Sequence, residues 1–237
     1  MSTASREFED RVVVVTGGTG GLGRAVVAAL LEAGARVHVP VFEDQTPAGV
    51  EFADHERVTF VHGVALDDEA AAADFYRRTP PPWASIQIAG GFAMSPVVDT
   101  SFSAFESMWR MNVASCFLSC REAVRRMREG GGGGGRLVNI AARPALTPSA
   151  GMIAYATAKA GVAAMTRTLA EELAPESIWV NAVAPSIIDT PANRAAMPDA
   201  DHGSWVTPAA LAQTIVGLAS PANQCVRGAV LEAYGRA

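Results

Sequence analysis

The strongest constraint on the fold lies near the N-terminus. Val12–Val15 is a continuous β-branched run, the pattern of a parallel strand covered on both faces. It leads directly into Thr16-Gly17-Gly18-Thr19-Gly20-Gly21-Leu22-Gly23, after which Arg24–Ala33 reads as a helix stopped by Gly34. Arg36–Phe42 is again apolar and strand-like. Strand, glycine turn, helix and strand form a βαβ unit, which must cross over right-handed. Small residues at Gly17, Thr19, Gly20, Gly21 and Gly23 would let the backbone approach a pyrophosphate, while the helix N-terminus, Leu22 included, supplies free N–H groups. A tight turn without a ligand would also use small residues. Its position after the first strand favours the phosphate reading.

The rest of the chain repeats this rhythm. Further strands are expected at Val58–His62, Ser85–Ala89, Arg136–Ala141, Ile178–Val183 and Gly228–Leu231, with helical patterns at 67–78, 102–129, 150–173 and 207–219. Alternation of this kind specifies an α/β fold, a single-domain Rossmann-type doubly wound parallel sheet of about seven strands. A chain of 237 residues can bury roughly 70–75% of its unfolded surface, so it needs no metal or disulfide staple. Gly130–Gly135, six glycines in a row, has a helix before it and a strand after it. That is the reverse of a phosphate loop, so the run reads as a flexible connector. Pro80-Pro81-Pro82 is a rigid turn.

Charge narrows the partners. With 19 Lys and Arg against 24 Asp and Glu the net charge is −5, and no basic block occurs. Nucleic acid and anionic membrane are therefore poor partners, and a small-molecule substrate fits better. Cys116, Cys120 and Cys225 lack metal-ligand spacing and read as reduced thiols of a cytoplasmic protein, the first two as buried small hydrophobes. No apolar run reaches the ~18 residues of a membrane span, and residues 1–10 are too charged for a signal peptide. His38, His55, His62 and His202 lack metal spacing; His38 and His62 read as packed or edge residues. Glu171-Glu172 reads as a solvated helix face, and Trp109 and Phe105 as core or subunit contacts.

Tyr155-Ala156-Thr157-Ala158-Lys159 places a phenol and an ammonium on one face of a helix. An ammonium beside a phenol favours phenolate and lowers a pKa that starts near ~10. The phenol then serves as an acid or base near neutrality. Such a pair occurs by chance in many helices, but here it accompanies the N-terminal glycine turn.

Together these elements make the chain resemble the short-chain dehydrogenase/reductase family over essentially its whole length. The resemblance rests on Thr16–Gly23, Asn112 in Met111-Asn112-Val113, Tyr155 with Lys159, and Val180–Pro185 before Asp189-Thr190. It implies that Tyr155 donates the proton, that Lys159 holds the nicotinamide ribose and tunes Tyr155, and that Asn112 positions a water. It also implies cofactor contacts from Ala89, Gly90, Gly91, Pro185, Ile188 and Thr190, and assembly as a homodimer or homotetramer.

Departures from the pattern carry further information. The family's serine, 13 residues before the tyrosine, falls at Ala142. Gln87-Ile88-Ala89-Gly90-Gly91-Phe92 replaces the familiar Asn-Asn-Ala-Gly, and Pro185-Ser186 the usual Pro-Gly. A branch similar to quinonoid dihydropteridine reductase also lacks the serine. The chain resembles it at Ala89–Phe92, Ala142-Arg143, Gly151–Tyr155 and the long stretch from Asp189 to Trp205. That branch has Trp at the place of Phe92 and an acid at the place of Val41. With Glu43 and Asp44 as the first acids beyond the second strand and no base there, NADH is favoured over NADPH.

A serine hydroxyl would donate a second hydrogen bond to a carbonyl oxygen gaining charge, and its loss costs about 3 kcal/mol by analogy with oxyanion holes. A quinonoid substrate suffers less, because hydride addition restores a conjugated system. The expected reaction is thus reduction of a conjugated C=N or C=O compound, with Phe92, Ala142, Arg143, Met197 and Trp205 as substrate contacts. Residues 189–205 would form a lid over a flat ring, with Trp205 or Met197 closing it. The alternatives are a short-chain ketoreductase working without the serine, and a non-redox binding or scaffold protein that keeps the fold.

Overall fold

The computed structural model describes residues 6–131 and 133–236. Its frame is a seven-stranded parallel sheet in the order β3-β2-β1-β4-β5-β6-β7. The strands are β1 Val12–Thr16, β2 Arg36–Pro40, β3 Val58–Val61, β4 Ala84–Gln87, β5 Gly135–Ile140, β6 Ile178–Pro185 and β7 Val230–Ala233. Helices α1 Gly21–Glu32, α2 Glu69–Arg78, α3 Phe102–Trp109, α4 Ser115–Glu129, α5 Ile153–Leu173, α6 Pro191–Ala196 and α7 Pro208–Ala219 connect them. Each expected strand is present within a few residues. The second is shorter than expected: it ends at Pro40, and Phe42 lies beyond it, 73% exposed.

The β-branched run of β1 is explained by two cores. Val13 and Val15 face α1 and α7, packing with Val26, Val27, Leu30 and Ile215. Val14 faces the other layer, with Leu137, Val180, Phe75, Val162 and both Cys116 and Cys120. A strand covered on both faces favours apolar side chains throughout, which is why the run is unbroken. Helix starts are fixed by side chains that accept backbone N–H bonds: Asp68 for α2, Ser101 for α3 and Thr207 for α7. Each cap is worth about 1 kcal/mol.

The long helix expected over 102–129 is interrupted. Residues Arg110–Ala114 form a turn of π-helix between α3 and α4, which rotates the second half relative to a continuous helix. Trp109 is 48% exposed, so within one chain it is not core, whereas Phe105 is half-buried. Of the glycine connector, Gly130 caps α4 and Gly135 opens β5, while Gly132 lies outside the described residues. Among the described residues no helix is long and apolar enough to cross a membrane.

Candidate active site

The chain turns away in opposite directions from the adjacent strands β1 and β4, towards β2 on one side and β5 on the other. A crevice must open above their C-terminal ends, and in doubly wound sheets ligands bind there. The structure has a cavity of about 1690 Å³ at this place, lined by the glycine turn, Ile88–Phe92, Ile140–Pro144, Tyr155, Lys159 and Pro185–Ile188. That volume exceeds the usual small-ligand pocket and leaves room for a dinucleotide together with a substrate.

The glycine turn is shaped by contacts that exclude side chains. Gly17 has φ +66°, and a Cβ there would lie 2.8 Å from the Ala89 nitrogen. A Cβ on Gly23 would lie 2.0 Å from the Gly17 carbonyl oxygen. Thr16 ties the turn to the neighbouring strand: its hydroxyl accepts from the Ala89 N–H at 3.1 Å. Gly20, Gly21, Leu22 and Gly23 all line the cavity, and no side chain caps α1. Its first-turn N–H groups therefore face the crevice without a side-chain partner, a wall that fits a pyrophosphate.

Beyond the turn, Pro40, Val41, Phe42 and Glu43 form the wall where an adenosine would lie. Arg24 stands near it but is committed to carbonyls, with Nε on Thr19 at 2.8 Å and Nη1 on Gly49 at 2.6 Å.

Tyr155 and Lys159 project from α5 into the same cavity. Lys159 donates from Nζ to the Ile140 carbonyl at 2.8 Å, and Nζ lies 6.0 Å from the centre of the Tyr155 ring. Burial pulls the Lys159 ammonium down to about 8 and pushes the Tyr155 phenol up to about 12. The expected lowering of the phenol by its lysine is thus absent. Desolvation dominates because the ammonium is held at the β5 carbonyl rather than at the phenol. The Phe92 ring stands edge-on to Tyr155, with centroids 5.0 Å apart and an interplanar angle of 81°.

Asn112 sits in the π-turn, buried. Its Nδ2 donates to the carbonyls of Gly91 at 3.1 Å and Met108 at 3.0 Å, while Oδ1 accepts from the Gly91 N–H at 3.3 Å. The side chain thereby pins the loop after β4, and a Cβ on Gly90 would come within 2.5 Å of its Oδ1. The extra residue of the π-turn is what aims Asn112 at this loop, a common use of such turns.

Three expected site residues do not line the cavity: the Asn112 side chain lies behind the wall, its amide taken up by Gly91 and Met108, and Thr190 and Trp205 also fall outside it. The Thr190 hydroxyl accepts from the Asn193 N–H as the cap of α6, and its methyl packs against Gly21. Trp205 is buried, 7% exposed, with its ring 4.5 Å from that of His202. It is not a lid residue over a ring: the bridge between Ile188 and Val206 draws it into the base of the loop. Phe92, Ala142, Arg143 and Met197 do line the cavity. So do Met94, Met152 and Asn193, which sequence reasoning missed; an unpatterned methionine gives no signal of its own. The ion pair of Arg110 with Asp67, at 2.9 Å, was also missed and joins two segments of the wall.

This combination of fold and site defines a nucleotide-dependent oxidoreductase. Residues 11–201 match the short chain dehydrogenase family, and the chain belongs to it. It is 31% identical to the 3-oxoacyl-[acyl-carrier-protein] reductase FabG of Aquifex aeolicus over 78% of this chain and 76% of that protein. It is likewise 31% identical to the cis-4-hydroxycyclohexanecarboxylate dehydrogenase of Sinomonas cyclohexanicum, over 96% of each. A solved structure of ElxO with NADP bound shares the fold, with a TM-score of 0.86 at 21% identity, covering 95% of this chain and 98% of that one. The protein is accordingly an NAD(P)H-dependent oxidoreductase.

Proposed function

We propose that this enzyme reduces a small conjugated C=N or C=O compound, in the manner of the dihydropteridine reductase branch. The observation that carries the reading is Ala142, whose methyl occupies the cavity wall where a hydroxyl donor would be needed for an unactivated ketone. The surroundings suit a flat ring: Phe92, Met94, Met152 and Met197 line the cavity.

The dinucleotide, when bound, supplies a hydride from its nicotinamide. The turn at Gly17–Gly23 and the open N-terminus of α1 would hold its pyrophosphate, and Ala89, Gly90, Pro185 and Ile188 line the same cavity. Tyr155 delivers the proton from its hydroxyl; a phenol whose pKa lies near 12 is a proton donor at neutral pH, not a base. Lys159 keeps a positive charge beneath the site and supports the developing phenolate. Thr190 and Asn112 act one step back, by holding Gly21 and the Gly90–Gly91 loop in place. NADH is the preferred cofactor: Glu43 lies at the adenosine wall, and Arg24 is committed to backbone carbonyls, so among the described residues no free cation there awaits a 2′-phosphate.

Residues 189–205 act as a lid through Asn193, Ala196 and Met197, which line the cavity. We place the enzyme in the cytoplasm as a homo-oligomer, with the exposed Trp109 and Phe117 at the subunit contact. The names of the two relatives support a second reading, a ketoreductase or alcohol dehydrogenase working without the serine.

The test is NADH oxidation with a quinonoid dihydropterin or an ortho-quinone. Turnover by the native enzyme and its loss in Tyr155→Phe, with cofactor binding retained, support the reading. Turnover that survives Tyr155→Phe would exclude the proton-transfer role, and a folded native protein that binds neither NADH nor NADPH would favour the non-redox alternative.

A further inference from the structure

Three cationic side chains line the cavity: Arg110, Arg143 and Lys159. Two are engaged, Lys159 with the Ile140 carbonyl and Arg110 with Asp67. Among the described residues the Arg143 side chain makes no hydrogen bond and no ion pair; its guanidinium carbon lies 5.1 Å from the centre of the Tyr234 ring. A guanidinium held by an aromatic face keeps its in-plane N–H donors free, and their fork matches a carboxylate.

The stacking partner is itself fixed to the cavity wall. Ser186, which lines the cavity, donates from Oγ to the Tyr234 carbonyl at 2.8 Å and from its N–H to the Ala233 carbonyl at 3.3 Å. Arg143 follows Ala142 directly and opens the 3-10 turn Arg143–Ala145, so it stands next to the position of the missing hydroxyl. Glu232 lies against the same tyrosine, but among the described residues no carboxylate comes within ion-pair distance of this cation.

We propose that Arg143 binds a carboxylate carried by the substrate, making this a reductase of conjugated ring acids. The inference rests on the reductase reading and names its substrate class. Tyr234 is the positioning residue: it orients the guanidinium and touches neither substrate nor cofactor. Binding by the fork orients the ring from one end and leaves its reacting atom to Tyr155. Orientation from Arg143 would replace part of what the absent serine hydroxyl contributes elsewhere in the family.

The test compares isatin-5-carboxylate with its methyl ester, which have the same ring and the same reacting carbonyl. The native enzyme is expected to prefer the acid by about five-fold in kcat/KM, the upper end for a charge pair open to solvent. In Arg143→Met the ratio of acid to ester falls towards one, with the loss carried by KM for the acid. Arg143→Lys retains an intermediate ratio, because it keeps the charge without the fork. Equal use of acid and ester by the native enzyme, or a ratio unchanged in Arg143→Met, would overturn the proposal.

Calorimetric binding of the same two compounds to the NAD⁺-loaded protein separates this inference from the reading beneath it. An acid preference abolished by Arg143→Met, without turnover of either compound, would keep the anion site and remove the proposed chemistry. Turnover of both with no acid preference in binding would do the reverse.

Discussion

Lys159 donates to the carbonyl of Ile140 at 2.8 Å, joining the second turn of α5 to the last residue of β5. Ala142, two residues further on, is therefore positioned by the same bond that positions the ammonium. The contact is buried, and it sets a charge in a place where desolvation opposes it. The site is thus less stable than its apolar equivalent, as catalytic sites commonly are.

That strain has a sign in pH. The Lys159 ammonium titrates at about 8 in the folded chain against an ordinary 10.5. Below pH 8 both states carry the proton and the destabilisation is complete; from there towards 10.5 the folded state releases it first, so stability rises with pH. The full effect is about 3 kcal/mol, less about 1 for the hydrogen bond. Lys159→Met should therefore raise the cofactor-free protein's Tm at pH 7 and flatten its rise between pH 8 and 9.5, while abolishing turnover. Thermal unfolding across that range checks it; a lower Tm for the variant at pH 7 would contradict it.

Gly90→Ala should weaken both stability and cofactor binding. The new methyl would meet Asn112 Oδ1 at 2.5 Å and approach Lys159 Nζ at 3.4 Å. Relief requires moving the loop that Asn112 holds, at about 1–3 kcal/mol. Gly217→Ala is the control: nothing lies within 4 Å of its new methyl in α7, and it should stabilise by about 0.5–1 kcal/mol. Thermal melts with fluorescence titration of NADH distinguish the two.

Ala142→Ser restores the absent donor with almost no change in volume. Turnover of a saturated ketone should rise about 100-fold, the lower end of the range for oxyanion-hole donors, while turnover of the conjugated substrate changes little. Steady-state rates on both substrates measure this, and an equal gain on both would show that the hydroxyl is not what separates them.

Cofactor should protect the stretch from Asp189 to Trp205 against trypsin. Arg194, held by Asp189 at 2.9 Å, is the exposed cleavage site, and neighbouring Asn193 lines the cavity. Slower cleavage at Arg194 with NADH present is the expected result. Identical cleavage rates would remove the lid.

Much of this architecture is readable from local sequence. Val12–Val15 had to be a doubly covered strand because nothing polar interrupts it, and Tyr155 with Lys159 share a face by helical spacing alone. What was not readable depends on distant partners. The π-turn at Arg110–Ala114 is fixed by Asn112 reaching Gly91, a contact absent from any helical pattern. Trp205 looked like a lid aromatic until the Ile188–Val206 bridge drew it inward. Tyr155 looked like a lowered phenol because spacing gives proximity to Lys159 and says nothing of the Ile140 carbonyl that holds the ammonium. The aromatic face under Arg143 comes from Tyr234, beyond the last strand.

The central claim is that a site with Ala142 beside Tyr155 reduces conjugated compounds and not simple ketones. Its most direct test is the ratio of kcat/KM for a quinonoid dihydropterin to that for a saturated cyclic ketone, measured with NADH on the native enzyme. The account predicts a ratio of at least about 100, matching about 3 kcal/mol of missing donor. A ratio near one would contradict it.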